Sequence, residues 1–204
     1  MKRGNLILDL GCGNGRHTVF LLKSGLKVVA VDHNRSAVRT TRAQVKALAF
    51  PKDYYSVLQE EAVPFLENRS PLMYDGVIVF DSVHHMCTEK KELSLLVENI
   101  LRSLKKGGYL LLTLLTDINY SNGASPKERL NISEVNGKAL LERSFCQQKV
   151  IFFKKKSILF RDIENFSTSG TFVRANYSAT RLIFLVRKPI RQNFVSSSLK
   201  TRSD

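Results

Sequence analysis

An apolar segment, Leu8-Asp9-Leu10, runs straight into Gly11-Cys12-Gly13-Asn14-Gly15, and a helical pattern starts at Arg16. Glycines at such a turn let the backbone approach a ligand where a Cβ would collide. The helix behind them presents unpaired amides to a polar or anionic group. Asp32 ends the next apolar segment, 17 residues past Gly15. A carboxylate there can accept two hydrogen bonds from a ribose diol. A lone G-x-G pair also serves as a plain strand-to-helix turn. It is the company of Asp9 and Asp32 that points to a nucleotide. The dinucleotide spacing G-x-G-x-x-G fails, because it puts Arg16 where the third glycine belongs, and the glycines fit G-x-G-x-G instead.

Other reactive residue types are sparse. Cys12, Cys87 and Cys146 are too few and too scattered for a disulfide framework or a zinc site, and they fit a reducing compartment. Cys12 reads as a small packing residue. No cluster of His, Cys and carboxylates has metal-ligand spacing.

The elements that must hold these residues alternate. Asn5–Leu10, Lys27–Asp32, Tyr54–Leu58, Tyr74–Phe80 and Tyr109–Thr116 read as strands, with helices over Arg16–Ser24, Arg35–Leu48 and Glu89–Leu104 between them. Glu61–Asn68 reads as a helical turn or loop. Continuous apolar strands separated by helices imply an α/β fold, a doubly wound parallel sheet covered on both faces. Ligands in such sheets sit beyond the carboxyl ends of the strands. After Thr116 the pattern changes. Asp117–Asn131 reads as a loop, and Ser133–Phe145 as a helix capped by Ser133. Val150–Phe153 and Arg181–Arg187 read as an antiparallel pair at the sheet edge, joined by a long connection.

The length of 204 residues favours one domain, and 43% hydrophobic with 25% charged residues is an ordinary globular balance. No apolar run reaches the ~20 residues of a membrane span. The basic N-terminus resembles the start of a signal peptide, but Asp9 and three glycines interrupt the apolar stretch behind it, so a cytoplasmic protein is expected. The net charge is +14. Between Lys127 and Arg191 there are 14 Lys and Arg against 5 Asp and Glu, so the excess sits chiefly in the C-terminal third. Lys154-Lys155-Lys156 beside Phe152, Phe153 and Phe160 fits a nucleic-acid surface with stacking aromatics. The favoured alternative is a hairpin core of phenylalanines with lysines guarding an edge strand.

ILDLGCGNGRHT resembles motif I of the class I S-adenosylmethionine-dependent methyltransferases, and VVAVDHN resembles their ribose-holding second strand. YDGVIVFDSVHHM resembles their fourth strand, LRSLKKGGYLLLT their turn into the fifth (with Lys106 where proline is usual), and RLIFLVRKP their terminal strand. Within the class, the chain is most similar to the TehB-like and related small-molecule methyltransferases. The resemblance implies a Rossmann-like, mostly parallel seven-stranded sheet ending in an antiparallel hairpin. It implies a methyltransferase domain over 1–189 and a basic, disordered tail over 190–204. It also implies S-adenosylmethionine as cofactor. Asp9, Gly11 and Gly13, with Cys12 between them, would hold its amino-acid end. Asp32 would hold the ribose, with His33 beside it. Gln59 and Glu60 would stand near the adenine, and Asp81 on the methyl-transfer face.

Methyl transfer needs a positioned nucleophile and excluded water, plus a base only where the acceptor must lose a proton. His84 and His85 are the candidates for that base. His17 is expected on the helix surface, and Asp75 is expected to orient its strand. Phe80-Asp81-Ser82-Val83 stands where the amino methyltransferases of nucleic-acid bases usually carry Asn-Pro-Pro-Tyr, which argues against N6-adenine chemistry. Motif I begins almost at Met1, so the entry helices that relatives place ahead of it are expected to be lacking. The acceptor implied is a small molecule. The alternatives are tRNA or another RNA met through the basic C-terminal region, and a non-catalytic regulatory protein on the same fold.

Overall fold

Strand β1 (Leu6–Leu10) lies inside a seven-stranded sheet, third in the order β3-β2-β1-β4-β5-β7-β6. This computed structural model describes residues 1–120, 130–166 and 172–190, with side chains described outside 160–176. β2 (Lys27–Asp32), β3 (Tyr55–Gln59), β4 (Tyr74–Val79) and β5 (Leu104–Tyr120) run parallel to β1. β7 (Phe172–Arg187) inserts antiparallel between β5 and the edge strand β6 (Lys149–Phe166). This is the doubly wound sheet with an antiparallel end that the sequence predicts.

The helices close two cores. α1 (Arg16–Lys23) and α2 (Arg35–Ala47) cover one face at β1 and β2, burying Leu22, Val38 and Val45 against Ile7, Val28 and Ala30. On the other face α3 (Ala62–Glu67), α4 (Val83–Met86), α5 (Lys90–Ser103) and α6 (Glu134–Ser144) pack on the larger core. There Leu93, Leu96, Val97 and Ile100 of α5 are fully buried, as their helical spacing requires. Ser133 caps α6 by accepting from the Asn136 amide, as expected. Asp75 ties three strands at their amino ends: it accepts from the Leu6 amide at 2.8 Å and pairs with Lys105 at 3.0 Å. Burial alone would raise its pKa, but the amide and the ammonium outweigh that and hold it below the ordinary value.

Three expectations change at the C-terminal end. β5 reaches Tyr120, so the expected loop from Asp117 starts later, and residues 121–129 lie outside the described residues. β6 and β7 are long strands whose pairing extends to Phe166↔Phe172, so the long connection expected between two short strands is largely strand. An edge strand with a solvated face needs no continuous apolar run, so the sequence pattern of β6 marks only a short part of its length. Finally, Phe152 and Phe153 do not form a sealed hairpin core: they are 47% and 38% exposed, although Phe153 rests on Phe184 at 4.8 Å. The expected tail from 190 lies, beyond Ile190, outside the described residues.

β1 has neighbours on both sides whose connecting helices cover opposite faces of the sheet. That is the topological switch point, where a crevice opens beyond the carboxyl ends of the strands.

Candidate functional site

The glycine turn is anchored to the strand beside β1. The amides of Gly11 and Cys12 both donate to the Val31 carbonyl, at 2.8 and 3.0 Å, which folds the chain back across the end of β2. Gly11 has φ +73, and a Cβ there would stand 2.5 Å from Ser82 and Met86. Gly13 has φ +54, and a Cβ there would meet nothing within 4 Å. The first glycine is required by packing. The second leaves room on the side of a cavity of about 510 Å³, which the turn lines together with residues after β2, β3 and β4.

Asp32 joins the turn to the second strand. Its Oδ2 accepts from the Gly13 amide at 2.9 Å, and its Oδ1 accepts from the Asn34 amide at 2.8 Å. Asn34 in turn caps α2, accepting from Ser36 and Ala37. The carboxylate is thus aimed and held at the cavity wall. His33 sits beside it, with Nδ1 3.7 Å from Oδ1 and half its side chain exposed.

Asp9 is 1% exposed and accepts from the Thr18 hydroxyl of α1 at 2.6 Å, so it stands behind the turn and outside the cavity lining. Burial, with Asp32 nearby, pushes its carboxyl up to about 6. Cys12 lines the cavity, but burial pushes its thiol up to about 12, so it is a neutral packing group. Gln59 is exposed and donates to the His33 carbonyl at 3.4 Å. Of the acidic run after β3, Glu60 and Glu61 reach the cavity, and Glu60 pairs with Arg69 at 3.2 Å.

After β4, Asp81 takes φ +53 and lines the cavity. Its amide donates to Thr113 Oγ1 at 2.6 Å, and the Thr113 hydroxyl donates back to its Oδ1 at 2.9 Å. Arg181 of β7 completes the arrangement, with Nε donating to Oδ1 at 2.8 Å and a second guanidinium nitrogen donating to Oδ2. His85 is exposed and lines the cavity. His84 is 1% exposed, lies outside the lining and sets its ring against that of His85 at 3.9 Å, tilted by 41°. His17, expected on the helix surface, instead lines the cavity with its ring 4.7 Å from Phe80. Burial, with Arg16 beside it, lowers its pKa below the ordinary histidine value, so the imidazole is neutral at pH 7.

The sequence pattern does not single out His17 or Arg181 as site residues. His17 is the second residue of α1, and a first-turn residue behind a glycine turn faces the site, so a local signal for it exists. Arg181 lies 100 residues from its partner, and no spacing rule connects them.

A profile described as a methyltransferase domain matches residues 7–108, half of the chain. The chain belongs to the methyltransferase-domain family. S-adenosylmethionine is the cofactor of that family. An uncharacterized methyltransferase of Synechocystis is 31% identical over 109 residues, covering 53% of this chain and 46% of its own. The chain spans between 16% and 46% of the curated relatives it matches. Among solved structures, TehB from Haemophilus influenzae superposes with a TM-score of 0.64 at 17% identity, covering 91% of this chain and 58% of TehB. The 1,6-didemethyltoxoflavin-N1-methyltransferase of Burkholderia thailandensis, solved with 1,6-didemethyltoxoflavin and S-adenosylhomocysteine, gives 0.63 at 18%, covering 92% and 72%. These two likenesses establish the shared fold. No helix among the described residues is long and apolar enough to cross a membrane, and no group of three or more His, Cys, Asp or Glu among them could hold a metal ion.

Proposed function

We propose that the chain transfers the methyl group of S-adenosylmethionine to a small-molecule acceptor. The observation that carries this reading is the Asp32 carboxylate, fixed by the Gly13 and Asn34 amides at the wall of a cavity whose glycine turn leaves open space at Gly13. A ribose diol suits that carboxylate, and a Cβ-free backbone suits a ligand lying against it. Bound there, the cofactor supplies an electrophilic methyl group on a sulfonium.

The residues of this chain then orient, neutralise and shield. Asp32 holds the sugar hydroxyls, and Glu60 and Glu61 offer acceptors near the base. Asp81, neutralised by Arg181, forms the wall after β4 where an acceptor meets the methyl group. His17 and His85 border the cavity, and a neutral His17 can take a proton from an acceptor hydroxyl or amine as it attacks. A cavity of about 510 Å³ suits a compact acceptor beside the cofactor. The Burkholderia enzyme of similar fold, which is described with a small heterocycle and S-adenosylhomocysteine, lends support. Three free thiols, Cys146 among them exposed, accord with a cytoplasmic setting.

Calorimetry with S-adenosylmethionine and S-adenosylhomocysteine tests the reading, followed by release of S-adenosylhomocysteine in the presence of candidate acceptors. Micromolar binding of both is expected. A folded protein that binds neither overturns it.

A further inference from the structure

Over β5, β7 and β6, one face of the sheet carries no helix among the described residues. Over β5 and β7 the larger core takes Leu110, Leu112, Leu114, Leu182, Phe184 and Val186 against α5 and α6. Strand alternation sends the intervening residues to the opposite face. The pairings Thr113↔Ile183, Leu111↔Leu185 and Tyr109↔Arg187 place these side chains together on it. β6 adds a third row, with Lys156 beside Arg181, Lys154 beside Ile183, Phe152 beside Leu185 and Lys149 beside Arg187. Contacts confirm the alternation. Phe153 rests on Phe184 and Lys155 pairs with Glu134 at 2.7 Å, both on the α6 side.

We propose that this face docks a single-stranded nucleic acid, with Lys149, Lys154 and Lys156 contacting phosphates and Phe152 stacking on a base. The reading goes beyond the small-acceptor function and stands or falls separately from it. Charge selects the occupant. Lys149, Lys154 and Lys156 are exposed at the sheet edge, and Arg187 flanks Lys149 on β7, while the charge of Arg181 is taken up by Asp81. Lys154 and Lys156 are two strand positions apart, about 7 Å, a spacing suited to a regularly charged backbone. Phe152, 47% exposed, offers a ring face on which any base can stack. Ile183 and Leu185 are only partly buried and give the platform an apolar floor. A second copy docked by two-fold symmetry would set this basic face against itself, which like charges oppose. A lipid bilayer needs apolar side chains that protrude beyond the charges, and here the apolar floor of Ile183 and Leu185 lies beside the lysine row, between Arg181 and Arg187. The strip also leads to the cavity, because Arg181, cross-strand neighbour of Lys156, is the residue that pairs with Asp81.

Fluorescence anisotropy with a labelled polyuridine strand of about 20 nucleotides, at salt from about 50 to 200 mM, tests this on the full chain. Wild-type binding should weaken at least tenfold across that range. Lys154→Glu/Lys156→Glu should weaken low-salt binding at least tenfold and flatten the salt dependence. Phe152→Ala should weaken binding about threefold to tenfold and leave the salt slope unchanged. Lys46→Glu/Lys52→Glu carries the same charge change on exposed residues near the opposite sheet edge, and should stay within about twofold of wild type. Circular dichroism verifies that each variant is folded. Asp32→Ala should bind the strand normally, so loss of cofactor binding and loss of strand binding are read apart. Three results overturn the proposal: equal weakening by the two double variants; binding of anionic phosphatidylserine vesicles, without strand binding, that depends on Lys154 and Lys156; and no strand binding by a protein whose sedimentation shows a dimer broken by Lys154→Glu/Lys156→Glu.

Discussion

Arg181 grips Asp81 with two guanidinium nitrogens across 100 residues of chain, while Thr113 both donates to the Asp81 carboxylate and accepts from its amide. The side chains are 17% and 20% exposed, so little water screens the pair. Asp81 also holds a left-handed backbone, φ +53, which non-glycine residues adopt only with support. The pair links β7 to the end of β4 and fixes one wall of the cavity.

Breaking that pair from either side should therefore be costly, and breaking both should cost less than the sum. Arg181→Ala and Asp81→Ala are each expected to lose about 2 kcal/mol, with a coupling of at least about 1 kcal/mol in the double variant. Urea denaturation of the four proteins measures it. Additive losses would show that the two residues act independently.

Asp32 carries the next prediction. Asp32→Ala removes the acceptor for the Gly13 and Asn34 amides as well as the group aimed into the cavity. S-adenosylhomocysteine affinity should fall at least about tenfold, equivalent to ~1.4 kcal/mol. Asp32→Asn, which keeps an acceptor oxygen, should fall less. Calorimetric affinity unchanged in Asp32→Ala would remove the ribose assignment.

These residues differ in how plainly the sequence announces them. Gly11, Gly13 and Asp32 are local signals: a turn must follow a buried strand, and the carboxylate ends the next one. The parallel half of the sheet is legible for the same reason, since each of its strands is mostly apolar and is followed or preceded by a helical pattern. The antiparallel end is not. β6 carries Lys154 and Lys156 on an edge, where solvent satisfies their charges, and Lys155 pairs with Glu134, so no apolar periodicity is imposed. Arg181 illustrates the limit: its place in RLIFLVR marks a strand, but its partner is chosen by the register of β7 on β5, which only the folded sheet sets.

The two glycines of the turn should separate packing from binding. In Gly11→Ala the new methyl would sit 2.5 Å from Ser82 and Met86 at a positive φ, and about 2–3 kcal/mol of stability should be lost. In Gly13→Ala the methyl enters open space, so only the backbone term of about 1 kcal/mol applies. That open space is where the proposed cofactor lies, so Gly13→Ala should bind S-adenosylhomocysteine at least about tenfold more weakly while staying folded. Thermal melts and calorimetry on both variants give the comparison. A Gly13→Ala protein with wild-type affinity would place the ligand elsewhere.

Asp9 makes stability depend on pH. Its folded-state pKa is raised from 3.8 to about 6, chiefly by burial. The native protein therefore holds a proton that the unfolded chain releases more readily. Stability from this group is fully present below about pH 4 and is lost as pH rises through about 6. The difference amounts to about 2–3 kcal/mol at neutral pH. Asp9→Asn keeps an acceptor for the Thr18 hydroxyl and has no proton to lose. Between pH 4 and 7 the melting temperature of wild type should fall relative to that of Asp9→Asn, and the gap should close below pH 4. Parallel profiles across that window would mean that Asp9 ionises in the fold as easily as in the unfolded chain, and that its burial behind the glycine turn is relieved by water.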